Sequence, residues 1–344
     1  MTEALRLAVV GAGSKTIDYA GGWSRMPNVQ FVACADVDAR ARARLTEICL
    51  AAGGKAPAAF EDYRTMLAQC RDGIDAVYVS TPHALHAEQA LAITEHGLDL
   101  LLEKPMVTTT AEAEALIEAR NRWDNQIVVA YQGALSPLIL DTQRRAAAGE
   151  FGQLLSVSAT IWENWAGRYN GHWKQNPALS GGGFMFDTGA HMMNTVCLLV
   201  DADFESVSAY VNNHGKAVDI VTAVSGRLGN GVLVTFHAVG DGPVGCASHI
   251  TLFYKQAIVR IDAWGAWRDI TMGERPLARE EAEIIDNPLM AFRRIRTGDQ
   301  DNPSTVENGL RVAQLWDAIK ASAARDGAPL KISDLTRAAD LGGG

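Results

Sequence analysis

The first 130 residues alternate short apolar runs with longer segments rich in Ala, Glu and Arg. Leu5 to Val10, Val29 to Ala35, Ala76 to Ser80, Asp99 to Leu102 and Gln126 to Tyr131 read as strands. Apolar positions at helical spacing in Ala39 to Ala52, His83 to His96 and Thr110 to Trp123 predict helices between them. Strands without polar alternation are expected to be buried on both faces, and connections of helix length suit parallel pairing. The pattern predicts an α/β fold that opens with a doubly wound parallel sheet of Rossmann type.

From about Leu135 the pattern changes. One helix-like segment, Leu135 to Ala148, is followed by β-rich runs at Val218 to Leu228, Val232 to Val239, Ser248 to Tyr254 and Ala257 to Ile261, with a late helix at Thr305 to Ala323. Gly229-Asn230-Gly231 lies between two of these runs, and Asn-Gly in that position signals a hairpin. The expected division is residues 1–130 as a dinucleotide-binding domain and residues 131–344 as an α+β domain on a large, mostly antiparallel open sheet. No internal repeat is visible, and the sole low-complexity tract is Gly342-Gly343-Gly344.

Directly after the first run comes Gly11-Ala12-Gly13-Ser14-Lys15-Thr16. Glycines at the first two positions permit a tight turn and let backbone N–H groups approach a pyrophosphate at the start of a helix. Asp36 ends the next run, 25 residues after Gly11, where a carboxylate would accept from ribose hydroxyls. Gly11, Gly13, Ser14, Lys15, Thr16 and Asp36 are therefore candidate cofactor contacts. Thr16 replaces the third glycine, which predicts looser packing of helix on strand or a displaced loop. Asp36 and Asp38 would oppose a 2′-phosphate, so NAD is expected over NADP, with Arg40 and Arg42 as the opposing consideration.

Composition narrows the class. The chain has 344 residues, 48% hydrophobic and 21% charged, which suits two globular domains. A net charge of −9 argues against nucleic-acid or anionic-membrane partners. Cys34, Cys49, Cys70, Cys197 and Cys246 are odd in number and contain no CxxC, so reduced core thiols in a cytoplasmic protein are expected. The opening Met1-Thr2-Glu3 runs straight into the first apolar segment without a signal-peptide pattern. No Cys/His cluster has metal-ligand spacing, and no metal is expected.

Three further motifs carry a resemblance. Ser80-Thr81-Pro82-His83-Ala84-Leu85-His86, Leu102-Glu103-Lys104-Pro105, and Gly181-Gly182-Gly183-Phe184-Met185-Phe186-Asp187-Thr188-Gly189-Ala190-His191 occur in this order. With them the chain resembles the Gfo/Idh/MocA oxidoreductases over nearly its whole length. The resemblance implies NAD(P) on the Rossmann domain, substrate at a cleft between the two domains, and dimers or tetramers formed by stacked sheets. It adds Ser80, Thr81, Pro82, His86, Glu103 and Lys104 to the cofactor contacts. It assigns Lys104, Asp187 and His191 as the catalytic group. Family members often carry an aspartate three residues after the histidine, where this chain has Asn194.

Oxidation of a secondary alcohol needs a base for the hydroxyl proton and a cation to steady the alkoxide. His191, with an ordinary pKa of about 6.5, suits the first task and Lys104 the second. Asp187 precedes His191 by four residues, which puts both on one helix face; it either orients the imidazole or binds a hydroxyl. The segment Ile161 to Trp173 contains three indoles among polar residues, suited equally to stacking on a sugar or to an interface core. Gln132, Trp162, Asn164, Trp165, Tyr169, Trp173 and Asn194 join Lys104, Asp187 and His191 as candidate substrate contacts. The expected activity is NAD-dependent dehydrogenation of a sugar, sugar derivative or cyclitol. Redox-neutral glycoside cleavage or epimerisation through transient oxidation, and a non-catalytic dinucleotide sensor, are the alternatives.

Overall fold

The computed structural model describes residues 4–273, 279–283 and 287–335. The terminal glycine tract lies outside them. The chain separates into two compact units, one of residues 1–107, 111–130 and 288–306, the other of 108–110, 131–287 and 307–344. The chain passes from the first unit to the second between residues 130 and 131. The return of 288–306 to the first unit and the placement of 108–110 in the second depart from the expected two-block division.

The first unit alternates strand and helix: β1 (Leu5–Val10), α1 (Ser14–Trp23), β2 (Val29–Ala35), α2 (Ala39–Ala51), β3 (Ala58–Phe60), α3 (Tyr63–Cys70), β4 (Ala76–Val79), α4 (His86–Glu95), β5 (Asp99–Leu102), α5 (Thr110–Trp123) and β6 (Ile127–Val129). The six strands are all parallel, in the order β3-β2-β1-β4-β5-β6. Leu7, Ala8 and Val9 of β1 and Ala76 to Val79 of β4 have no exposed surface, as central strands covered on both faces require. Burying each large aliphatic side chain contributes about 1.5–3 kcal/mol. Helix starts are fixed by side chains: Asp38 accepts from Arg40 N–H at α2, and Asp62 accepts from Thr65 N–H at α3. The strand order reverses at β1, so the turns after β1 and β4 flank the switch point where dinucleotides bind in such sheets.

The second unit begins with α6 (Pro137–Ala147), capped by Ser136 and started by Pro137, then β7 (Leu154–Asn164). Four helices follow: α7 (Trp165–Arg168), α8 (Pro177–Ser180), α9 (Phe184–Asp187) and α10 (Gly189–Leu199). The strands β8 (Phe204–Asn212), β9 (Val221–Leu228), β10 (Leu233–Val239), β11 (Asp241–Tyr254), β12 (Ala257–Ile261), β13 (Trp267–Met272) and β14 (Arg279–Glu281) complete most of the sheet. The chain then forms α11 (Pro288–Arg296), which belongs to the first unit, followed by α12 (Val306–Ala323) and β15 (Leu330–Lys331) in the second.

Nine strands pair in the order β14-β13-β12-β11-β7-β10-β9-β8-β15, antiparallel except for β7 with β10. The Asn230-Gly231 turn joins β9 to β10 as a hairpin, as expected. In β7, Val157, Ala159, Ile161 and Glu163 are buried, while Ser158 is exposed and Thr160 and Trp162 partly so. The buried parity faces the helices, and the other parity forms the outer face of the sheet. Among the described residues no helix is long and apolar enough to cross a membrane. Cys34, Cys49 and Cys197 are buried as expected, but Cys246 is exposed on β11.

Candidate active site

The turn after β1 is shaped by Gly11. Its φ is +89°, and a Cβ there would lie 2.5 Å from the Ser80 carbonyl oxygen of the turn after β4. Gly13, by contrast, caps α1 without a side-chain bond, and a Cβ there would meet nothing within 4 Å. Gly13, Ser14 and Lys15 are exposed at the helix start, leaving N–H donors and open space where a pyrophosphate would approach. Thr16 is 1% exposed and its hydroxyl donates to the Gly11 carbonyl at 2.6 Å. The expected loosening at the third glycine position is therefore absent: the threonine is packed and bonded, closing the turn from within.

Asp36 lies beside this turn and accepts from Ala12 N–H at 2.7 Å and from Asp38 N–H at 2.8 Å. Each carboxylate oxygen so engaged retains a second lone pair for a hydroxyl. Arg42 donates to the Asp36 carbonyl, and Arg40 pairs with Asp38 at 3.3 Å.

Glu103 is buried, accepting from Tyr78 O–H at 2.9 Å and from Lys104 N–H at 3.2 Å. Burial pushes the Tyr78 phenol well above its ordinary pKa and Glu103 adds to the effect, so the hydroxyl stays a donor. Desolvation pulls the Lys15 pKa down, but Glu103 and Tyr19 outweigh it and carry it above the usual lysine value. The glycine turn and the Glu103-Lys104-Pro105 turn are thus electrostatic neighbours.

Ser80, Thr81 and Pro82 are partly exposed after β4, and Thr81 O–H donates to Gln89 at 2.6 Å. His86 differs from expectation. It has no exposed surface, and its ring nitrogens lie 2.9 Å from the Pro105 carbonyl and 3.0 Å from the Thr81 carbonyl. It ties the two turns together from behind and is not presented to a dinucleotide.

In the second unit, α9 and α10 meet at Thr188, whose dihedrals are helical. Asp187 is 1% exposed, and its Oδ2 accepts from Trp165 Nε1 at 2.8 Å and Lys174 Nζ at 2.6 Å. His191 is buried between two rings, Tyr131 perpendicular at 5.8 Å and Trp264 at 5.4 Å. The turn before α9 is held by Asp219, which accepts from Gly183 and Met185 N–H groups, while Thr188 O–H donates to Glu163 at 2.9 Å. A Cβ on Gly183 would fall 2.0 Å from the Asp219 carbonyl oxygen, so glycine is required there.

The indole-rich segment divides. Trp165 is fully buried and serves Asp187, so it is a support for the carboxylate and has no face for a sugar. Trp162 stacks on His249 at 5.8 Å on the outer face of the sheet, opposite in parity to Glu163, which removes it from the Asp187 side. The Asn164 amide lies against Gly167. Tyr169 and Trp173, both partly exposed, flank the Lys174 ammonium at 4.4 and 5.9 Å. Gln132 is partly exposed next to Tyr131. Asn194 is 1% exposed and accepts from Asn308 at 2.6 Å, linking α10 to α12. Among the described residues no group of three or more His, Cys, Asp or Glu is placed to hold a metal ion.

Tyr131, Glu163, Lys174, Asp219 and Trp264 were not anticipated. Lys174 had a signal, as the lysine directly after the indole-rich stretch; Asp219 had none, because its partners are more than thirty residues away.

Residues 5–131 match the oxidoreductase family with NAD-binding Rossmann fold, and residues 139–258 match the GFO/IDH/MocA C-terminal domain. The chain belongs to the Gfo/Idh/MocA family of oxidoreductases. A levoglucosan dehydrogenase of Pseudarthrobacter phenanthrenivorans is 28% identical over 141 residues, 40% of this chain and 36% of that enzyme. A scyllo-inositol 2-dehydrogenase (NADP(+)) of Bacillus subtilis is 36% identical over 115 residues, 33% of each chain. A glycosyl hydrolase family 109 protein of Porphyromonas gingivalis is 28% identical over 182 residues, 49% of this chain and 39% of that protein. Each alignment thus spans less than two fifths of the relative's own length. An inositol dehydrogenase homolog from Azotobacter vinelandii, complexed with NAD+, shares the fold with a TM-score of 0.82 at 20% identity, over 96% of this chain and 98% of that one.

Proposed function

We propose that this Gfo/Idh/MocA protein is an NAD-dependent dehydrogenase of a secondary alcohol in a sugar, sugar derivative or cyclitol. The observation that carries the reading is the Asp187–His191 segment, a buried carboxylate fixed by two donors and followed by an imidazole boxed by two aromatic rings. Levoglucosan and inositol dehydrogenases among the relatives support the same substrate class.

The open space at Gly13 and the donors at the start of α1 fit a pyrophosphate, and Asp36 fits a ribose diol. When bound, the nicotinamide supplies the hydride acceptor. NAD is favoured over NADP because Asp36 and Asp38 would face a 2′-phosphate with like charge.

His191 takes the hydroxyl proton, working between two rings that fix its plane. Lys104 steadies the alkoxide as oxidation proceeds, because an ammonium stabilises developing negative charge. Asp187 has Oδ2 committed to Trp165 and Lys174, so its carboxylate is a fixed acceptor for a substrate hydroxyl. We place the protein in the cytoplasm as a homodimer or homotetramer built on the outer sheet face, which exposes Tyr210 and Leu233; light scattering of the purified chain tests the oligomer.

A panel of sugars, glycosides, inositols and anhydrosugars, assayed for NADH formation with NAD and NADP in parallel, tests the activity. Folded Lys104→Met or His191→Asn variants that bind NAD yet keep full turnover would overturn these roles. The glycosidase-named relative supports a second reading, transient oxidation without net redox change, which predicts substrate consumption without NADH accumulation.

A further inference from the structure

No Asp or Glu occurs between Glu163 and Asp187, although the chain contains 40 acidic residues. Arg168, His172 and Lys174 all fall in that acid-free stretch. Lys216, from the loop before β9, joins them by donating to Asn170 at 2.8 Å.

The acids that meet these cations are the inner partners. Arg168 lies 3.3 Å from Glu163, with side chains 67% and 10% exposed; Lys174 lies 2.6 Å from Asp187, with side chains 19% and 2% exposed. A ligand approaching Asp187 therefore meets the ammonium before the carboxylate. Asp219, also near, is spent on the N–H groups of Gly183 and Met185, and Asp241 faces His214 at 3.9 Å.

Lys174 is held without being neutralised further. Tyr169 and Trp173 present ring faces to its ammonium, and its sole hydrogen-bond acceptor among the described residues is Asp187. An ammonium has three donors, so two remain for a ligand. Burial, with Lys174 beside it, also holds His172 below its ordinary pKa, in keeping with a positive local potential.

Building on the assignment of Asp187 to the substrate pocket, we propose that Lys174 is a substrate contact for an anionic group. The preferred substrate is then a polyhydroxylated compound bearing a carboxylate or phosphate, in preference to a neutral sugar. The anion accepts from the two outward N–H groups of Lys174 while ring hydroxyls reach Asp187. Arg168 and Lys216 form a cationic rim that draws the anion in.

The test compares D-glucose with D-glucuronate and glucose phosphate, and D-galactose with D-galacturonate and galactose phosphate, using the full chain with NAD and NADP. In the wild type an anionic member is expected to exceed its neutral parent in kcat/KM by roughly tenfold or more. Its KM rises with added salt while that of the neutral parent does not. Lys174→Gln, which keeps a donor for Asp187 without the charge, is expected to level the preference through KM, and Lys174→Arg to retain it. The uronate and phosphate arms identify which anion is meant.

Equal or better use of neutral sugars by the wild type overturns the proposal. So does a Lys174→Gln variant that slows neutral and anionic substrates alike, since Lys174 would then only hold Asp187. If none of these six compounds is oxidised, the dehydrogenase reading is left to the wider panel above, and calorimetric titration of the NADH-loaded protein decides Lys174 separately. Glucuronate or glucose phosphate binding that disappears in Lys174→Gln sustains the anion contact, and absence of such binding in the wild type removes it.

Discussion

The carboxylate of Asp219 accepts from the backbone N–H of Met185 at 2.8 Å, binding the loop before β9 to the turn that launches α9. A second bond, from Gly183 N–H, enters the same carboxylate. Burial pushes the Asp219 pKa up, and the two N–H donors work against that shift. Replacing Asp219 by Ala leaves two buried donors unpaired, each costing about 1–3 kcal/mol. Urea unfolding should show a loss of that order per donor, and NADH-coupled turnover should fall further than cofactor affinity, because the displaced segment carries Asp187 and His191.

Gly11 and Gly13 separate structural from ligand-imposed demand. Gly11→Ala sets a Cβ at φ +89° and 2.5 Å from a backbone oxygen, so the variant should lose about 2 kcal/mol or more of stability. Gly13→Ala meets open space and should melt within a degree or two of wild type. Its KM for NAD should nevertheless rise at least roughly tenfold, since a methyl there intrudes on pyrophosphate. An unchanged KM would remove the phosphate from this turn.

Asp36→Ala should weaken NAD by roughly tenfold through loss of the ribose acceptor and relieve repulsion of a 2′-phosphate. The ratio of kcat/KM for NAD over NADP should fall accordingly. Part of the effect is the loss of the Ala12 N–H bond, which Asp36→Asn, retaining an acceptor oxygen, should partly restore.

Burial opposes ionisation of Asp75, yet the Arg6 guanidinium at 2.7 Å and the Arg6 N–H at 2.7 Å prevail and hold its pKa below the ordinary carboxylate value. A carboxyl with a depressed native pKa contributes stability above its unfolded pKa, and that contribution disappears as pH falls through the native value. With Arg6 partly exposed, Asp75→Asn should cost about 1 kcal/mol at neutral pH. The urea midpoints of variant and wild type should converge on acidification; a gap that persists at low pH would exclude the ion pair as its source.

The parallel sheet was legible because its strands are buried on both faces: β1, β2 and β5 have the limits their apolar runs predict. β3 escaped notice, being three residues of which Ala58 and Ala59 are exposed. In the second unit, β7 alternates Val157, Ala159 and Ile161 with Ser and Thr, a period-2 signal. Ile161 to Trp173 is read by composition, whereas strand parity sets Trp162 opposite to Glu163. The motifs drew attention to Asp187 and His191, but Asp219 and Trp264 meet that segment through contacts between distant stretches, which local pattern does not encode.

The excursion of residues 288–306 into the first unit makes that unit discontinuous in sequence. Val129 N–H donates to the Ser304 carbonyl, Asn302 donates to the Ile127 carbonyl, and Arg296 pairs with Asp99. A fragment ending at residue 130 would leave the outer side of β6 with open hydrogen-bonding groups, a template for sticking to other chains. The groups that cover this edge come from residues 296–304, so truncations or fusions cut after residue 130 remove them and are poor starting points for engineering.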